Sequence, residues 1–161
     1  MKKLSFILLG VILMSCNSTA QNKKKNTSFP VSKSDAEWKA ELDTMEYYVL
    51  RKAGTEQAFS SKLNKEYTKG TYSCAACGAA LFKSDYKYDS GSGWPSFDRE
   101  IKGAVEFSKE DKNSYTGTEE HCANCGGHLG HVFDDGPKST GKRHCVNGAA
   151  IDFNPIEIKN E

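Results

Sequence analysis

The chain has 161 residues, the size of one ordinary domain with ends to trim. Its 22 basic and 21 acidic side chains nearly cancel, and setting aside Lys2 and Lys3 leaves 20 against 21. A balance so close to neutral argues against a nucleic-acid scaffold, for which a basic face is expected.

Residues 1–15 read as a signal peptide. Lys2 and Lys3 precede an uncharged apolar run from Leu4 to Met14, too short for a membrane span of roughly 20 apolar residues. Leu13-Met14-Ser15-Cys16 has a Leu at −3 and a small residue before a cysteine, which resembles the bacterial lipobox. The expectation is cleavage before Cys16 and lipid on its sulfur; a plain secretory cleavage between Ser15 and Ala20 is the alternative. Residues 16–33 hold almost nothing apolar except Phe29 and Val31 and are expected to be a flexible linker. The chain is thus expected to be exported and anchored to a membrane, facing the periplasm or the cell surface.

The folded region is expected from Ser34 to Ile158, enough for a single hydrophobic core. Ser34-Asp35-Ala36-Glu37 has the form of a capping box, with Trp38 and Leu42 four apart behind it. Asp43-Thr44-Met45-Glu46 repeats the signal before Tyr47 to Ala53, and Gly54 is placed as a C-terminal stop. Two short helices follow, broken near Asp43. Beyond Gly54, glycines recur between β-prone pieces such as Thr71-Tyr72-Ser73, Val105-Glu106-Phe107, His131-Val132-Phe133 and Ile151-Asp152-Phe153. Short strands with frequent turn signals predict an antiparallel, mainly β domain rather than βαβ units.

Four of the six cysteines form two matched pairs, Cys74-Ala-Ala-Cys77-Gly78 and Cys122-Ala-Asn-Cys125-Gly126. Two such knuckles supply four thiolates at the corners that tetrahedral zinc prefers, with no position left for water. A closed sulfur shell of this kind is structural. Two disulfides, which export favours, and a thioredoxin-like redox pair stay open as alternatives. The remaining cysteine, Cys145, lies in a polar and basic segment, Thr140 to Asn147. Arg143, two residues away and on the same face of a strand, is expected to lower its thiol pKa.

Three further segments, Gly91-Ser92-Gly93-Trp94-Pro95-Ser96-Phe97, His128 to Pro137 and Arg143-His144-Cys145-Val146-Asn147, occur in that order. With the two knuckles and Gly54-Thr55-Glu56, they closely resemble the B-type peptide-methionine (R)-S-oxide reductases, over roughly Glu37 to Pro155. The resemblance implies two small antiparallel sheets with short N-terminal helices. It implies reduction of methionine-R-sulfoxide, a reversible lesion whose epimers are served by different enzymes. Attack of a thiolate on the sulfoxide sulfur, with its oxygen protonated and leaving, gives methionine and a sulfenic acid on the enzyme.

By the same resemblance, Cys145 is the nucleophile and Trp94 receives the methyl group on its flat face. His128 and His131 line the pocket and handle protons, with Asn147 beside the nucleophile. Arg143 and Asp134 are a charged pair that orients the Cys145 strand. Each has a plainer alternative: Trp94 as core, His128 as a zinc ligand, Arg143–Asp134 as scaffolding.

The chain also departs from the family pattern. Many members carry a second cysteine where this sequence has Ser92, and a hydroxyl cannot perform thiol–disulfide exchange. A one-cysteine cycle is therefore expected, reset by an external thiol or a thioredoxin-like partner. Gly148 stands where a serine is usual, and residues 107–118 match poorly. A lipid-anchored zinc ribbon that binds a protein partner without catalysis is the rival reading, and a monomer is expected.

Overall fold

The computed structural model describes residues 29–108 and 117–156. The signal peptide, Cys16 and the linker up to Ser28 lie outside these described residues, as does most of the poorly matching 107–118 segment.

Both helices begin where the capping signals stand. Helix α1 (Asp35–Glu41) is capped by Ser34, and α2 (Thr44–Lys52) by Asp43; each cap makes the reciprocal bond to the glutamate three residues on. Helices this short are marginal alone, so their stability comes from the face they bury. That face is Trp38 on α1 and Val49 and Leu50 on α2. The stop differs from expectation: the left-handed residue is Ala53 (φ 52°), not Gly54. Gly54 is needed for space instead, since a Cβ there would lie 2.3 Å from the Tyr48 ring.

Among the described residues nine strands follow: β1 (Gly70–Cys74), β2 (Ala80–Lys83), β3 (Lys87–Tyr88), β4 (Ser96–Phe97), β5 (Val105–Phe107), β6 (Thr118–Cys122), β7 (His128–Phe133), β8 (Arg143–Val146) and β9 (Ile151–Pro155). They form two sheets, one of three strands ordered β2-β1-β9 and one of six ordered β3-β4-β8-β7-β6-β5. All pairings are antiparallel. The core between the sheets is aromatic: Phe82 stacks on Phe97 with centroids 4.3 Å apart, and Tyr72 meets Phe97 edge-on at 5.0 Å. Leu81, Leu129, Val146 and Ile151 fill the rest.

The expected linker boundary at Lys33 needs correction. Val31 N–H donates to Asn124 O at 2.9 Å, and the Phe29 ring meets His121 edge-on with centroids 5.8 Å apart. The two apolar residues of that polar stretch thus belong to the folded domain, because they find apolar and backbone partners on the second knuckle.

Candidate active site and sulfur cluster

The two knuckles converge. Cys74 ends β1 and Cys122 ends β6, so the pairs come from different sheets, and each turn closes with a glycine at positive φ, Gly78 (71°) and Gly126 (68°). The four Sγ atoms lie within 4.8 Å of one another. Cys74–Cys125 and Cys77–Cys122 are each 3.7 Å apart. A tetrahedron with metal–sulfur bonds of about 2.3 Å has edges of about 3.8 Å, so the quartet matches the spacing a thiolate-bound metal needs. All five described cysteines are free thiols, and the wholly antiparallel sheets offer no thioredoxin-like βαβ context for a redox pair. Hydrogen bonding among the sulfurs pulls Cys77 and Cys122 down and pushes Cys74 and Cys125 up.

Cys145 sits elsewhere, in the middle of the six-stranded sheet. Register places Glu119, His131, Cys145, Ser96 and Tyr88 in one row across β6, β7, β8, β4 and β3. Directly paired residues share a sheet face. Above that row opens a cleft of about 270 Å³ lined by Thr55, Trp94, Gly130, His131, Phe133, Cys145 and Asn147. Its walls are mostly apolar, with a thiol, an imidazole and an amide converging in it, the usual make-up of a small-molecule site.

The amide and the indole are held from behind. Asn147, 3% exposed, accepts from Glu56 N–H at 3.0 Å and donates to Leu129 O at 3.0 Å. Trp94 Nε1 donates to Glu56 O at 3.2 Å. The buried Glu56 carboxyl also accepts from the N–H groups of Gly148 and Ala149. One loop residue thus fixes the indole, the amide and the turn after β8. Gly54-Thr55-Glu56 is one of the motifs that carry the resemblance, but a lone glutamate in a loop reads as a solvated charge, and only its burial, at 6% exposure, reveals this role.

His131 lines the cleft, whereas His128 is buried beside it at 4% exposure, the two centroids 5.4 Å apart. Three residues apart on a regular strand, they would face opposite sides. A register shift between Glu120 and His121 changes the pairing from Gly130↔Glu120 to His128↔His121 and brings the rings together. His128 is no ligand of the sulfur cluster; its Nδ1 meets Glu119 Oε1 at 2.8 Å. Burial, helped by His128, pushes His131 below the ordinary imidazole value.

Two expectations about charge are corrected. Arg143 pairs not with Asp134 but with Asp135, through two bonds of 2.8 Å, and its guanidinium covers the Phe133 ring at 4.1 Å. Asp134 pairs with Lys142 instead. Nor does Arg143 leave the Cys145 thiol with a lowered pKa: burial pushes it up, outweighing the hydrogen bond from Ser92 and the guanidinium charge. Ser92 Oγ lies 3.7 Å from Cys145 Sγ, at the end of a hydroxyl chain through Ser90 to Ser96 with steps of 2.8 and 2.7 Å.

Among the described residues, no helix is long and apolar enough to cross a membrane. Residues 42–155 match the family described as the SelR domain. A protein of Leptospira interrogans named peptide methionine sulfoxide reductase MsrB is 54% identical over 127 residues, 78% of this chain and 97% of its own length. Proteins of the same name from Agrobacterium fabrum and Methanosarcina barkeri are each 48% identical, covering 81% and 79% of this chain and 97% and 90% of their own. With the match spanning most of the folded region, the chain belongs to the SelR domain family.

Proposed function

We propose that this chain reduces the R sulfoxide of methionine in peptides and proteins. The observation that carries the reading is the position of Cys145, the one described thiol outside the sulfur cluster, beside an indole and an imidazole in an apolar cleft. The flat face of Trp94 receives the sulfur's methyl group, and the bond to Glu56 O holds the indole in place. Asn147 orients polar groups of the bound sulfoxide. The Arg143–Asp135 pair steadies the start of β8 and hence the nucleophile.

The chemistry follows from a half-buried thiol whose pKa is raised by desolvation. Its sulfur attacks the sulfoxide sulfur as its proton departs, and the oxygen is protonated, with His131 and His128 handling the transfers. Two electrons pass to the substrate. It becomes the thioether, and Cys145 becomes a sulfenic acid carrying the oxygen. Two equivalents of an external thiol, or a thioredoxin-like dithiol, return Cys145 to the thiol and release water. Ser92 offers no sulfur for an internal exchange, so the cycle uses one cysteine.

Zinc is the metal best suited to Cys74, Cys77, Cys122 and Cys125, given four sulfurs at tetrahedral spacing. When bound it ties β1 to β6, and the cleft lining includes none of its four ligands. The reading extends to residues 1–15 as a signal peptide and lipid on Cys16, which would place the domain outside the inner membrane. The supporting feature is the short apolar run ending in Cys16. Labelling of the expressed chain by a fatty-acid probe, lost in Cys16→Ser, tests that part.

The reaction is tested with a peptide carrying racemic methionine sulfoxide and dithiothreitol. The R epimer is consumed and the S epimer remains, while Cys145→Ser is inactive yet melts like the parent. Consumption of neither epimer by the folded protein refutes the reading.

A further inference from the structure

The cleft residues do not account for the pair behind them. Glu119 Oε1 lies 2.8 Å from His128 Nδ1, and its Oε2 accepts from Ser108 Oγ at 2.9 Å. Burial works against charge on Glu119, but the bonds from His128 and Ser108 hold its carboxyl below the ordinary range. An ionised carboxylate only accepts, so the proton on that contact belongs to His128 Nδ1. Nε2, on the far edge of the ring, is buried and has no partner among the described residues. Beside it stands His131, whose Cα is paired with Cys145 on one side and with Glu119 on the other.

Taking the reductase reading as its basis, we propose that Glu119 is a positioning residue that keeps the His128 proton on Nδ1, so that Nε2 enters the reaction as a bare proton acceptor. Glu119, His128, His131 and Cys145 then form one relay. The proton leaving the Cys145 sulfur passes by way of His131 to Nε2 and returns to the sulfoxide oxygen. The carboxylate stabilises the transient positive charge on His128. No bond other than those to hydrogen changes within the relay, and no further reductant is consumed. The logic is that of a buried acid fixing a histidine tautomer behind a nucleophile. Here the acid is reached through a second histidine.

Replacing Glu119 by Gln supplies an amide that can donate to Nδ1, which favours the opposite tautomer with the proton on Nε2. Three readouts separate this role from scaffolding. In the parent, ¹⁵N chemical shifts show His128 protonated at Nδ1, and in Glu119→Gln they show Nε2–H. The variant loses at least about ten-fold in kcat with KM within two-fold, since the group acts on proton transfer rather than on binding. In a His128→Asn background the same substitution costs nothing more, because its route of action is already gone. An unchanged kcat, an unchanged tautomer, or a full additional loss in the His128→Asn background overturns the proposal. If Glu119→Gln melts early, the parent spectrum decides alone, and Nε2–H there is fatal to the idea. A parent that reduces no sulfoxide would instead refute the reductase reading, and the tautomer measurement would still stand.

Discussion

Ser92 Oγ rests 3.7 Å from Cys145 Sγ, the place from which a second thiol would reach the nucleophile. With the other four described cysteines gathered in the sulfur cluster, Cys145 has no thiol beside it among the described residues.

From that contact follows a prediction about the oxidised enzyme. After one turnover without reductant, the parent chain should carry a Cys145 sulfenic acid that dimedone traps, and no internal Cys145 disulfide. Ser92→Cys should divert the same intermediate into a 92–145 disulfide visible by mass spectrometry. Dimedone labelling should fall at least about ten-fold, because an adjacent thiol captures a sulfenic acid before the reagent does. A disulfide to Cys145 in the unaltered chain would sink the one-cysteine cycle.

Burial raises the Cys145 thiol above its ordinary value, so the substrate-free protein should alkylate slowly at neutral pH. The rate of iodoacetamide labelling should rise with a midpoint above the ordinary thiol range. Arg143→Ala should move it higher still, since the guanidinium charge favours the thiolate. The stability consequence has the matching sign. The folded value lies above the unfolded one, so this contribution is complete below the unfolded pKa and is lost as pH rises through the folded pKa. A labelling midpoint near neutrality contradicts this picture.

The neighbouring acids Asp134 and Asp135 should behave differently. Asp135→Asn breaks a two-bond pair to an arginine whose side chain is 14% exposed, although Asp135 itself is 62% exposed. A loss of about 1 kcal/mol in chemical denaturation is expected, with a several-fold fall in kcat as β8 loosens. Asp134, 85% exposed against a surface lysine, should tolerate Asn within about 0.5 kcal/mol. Equal effects at both positions would show that the arginine pair does not steady the strand.

Metal analysis should return one zinc per chain, and cobalt substitution should give the visible spectrum of a tetrahedral thiolate site. Cys122→Ser or prolonged chelation should cost several kcal/mol of stability, because knuckles from two sheets lose their common ligand. Activity should fall along with the folded fraction rather than ahead of it. Loss of turnover in a chelated protein that remains folded would give the metal a role in the reaction.

How much of this was legible in the chain depends on whether the cause was local. Capping boxes at Ser34 and Asp43, short β-prone pieces and the two Cys-x-x-Cys-Gly knuckles act within a few residues, and each stands where the sequence places it. The motifs around Trp94, His131 and Cys145 likewise gather at one cleft. Contacts set by register and burial were not legible. Whether Arg143 meets Asp134 or Asp135 depends on how the chain turns after β7, since adjacent residues point opposite ways. The pairing of His128 with His131 depends on a register shift that no single strand announces. Burial turned Glu56 from a solvated charge into the support of the cleft, and reversed the shift expected for Cys145. Sequence alone determined that Cys145 was the thiol left over. The fold decided that it is a half-buried thiol whose pKa is raised, with a serine for a neighbour, because desolvation and proximity are properties of the packed chain.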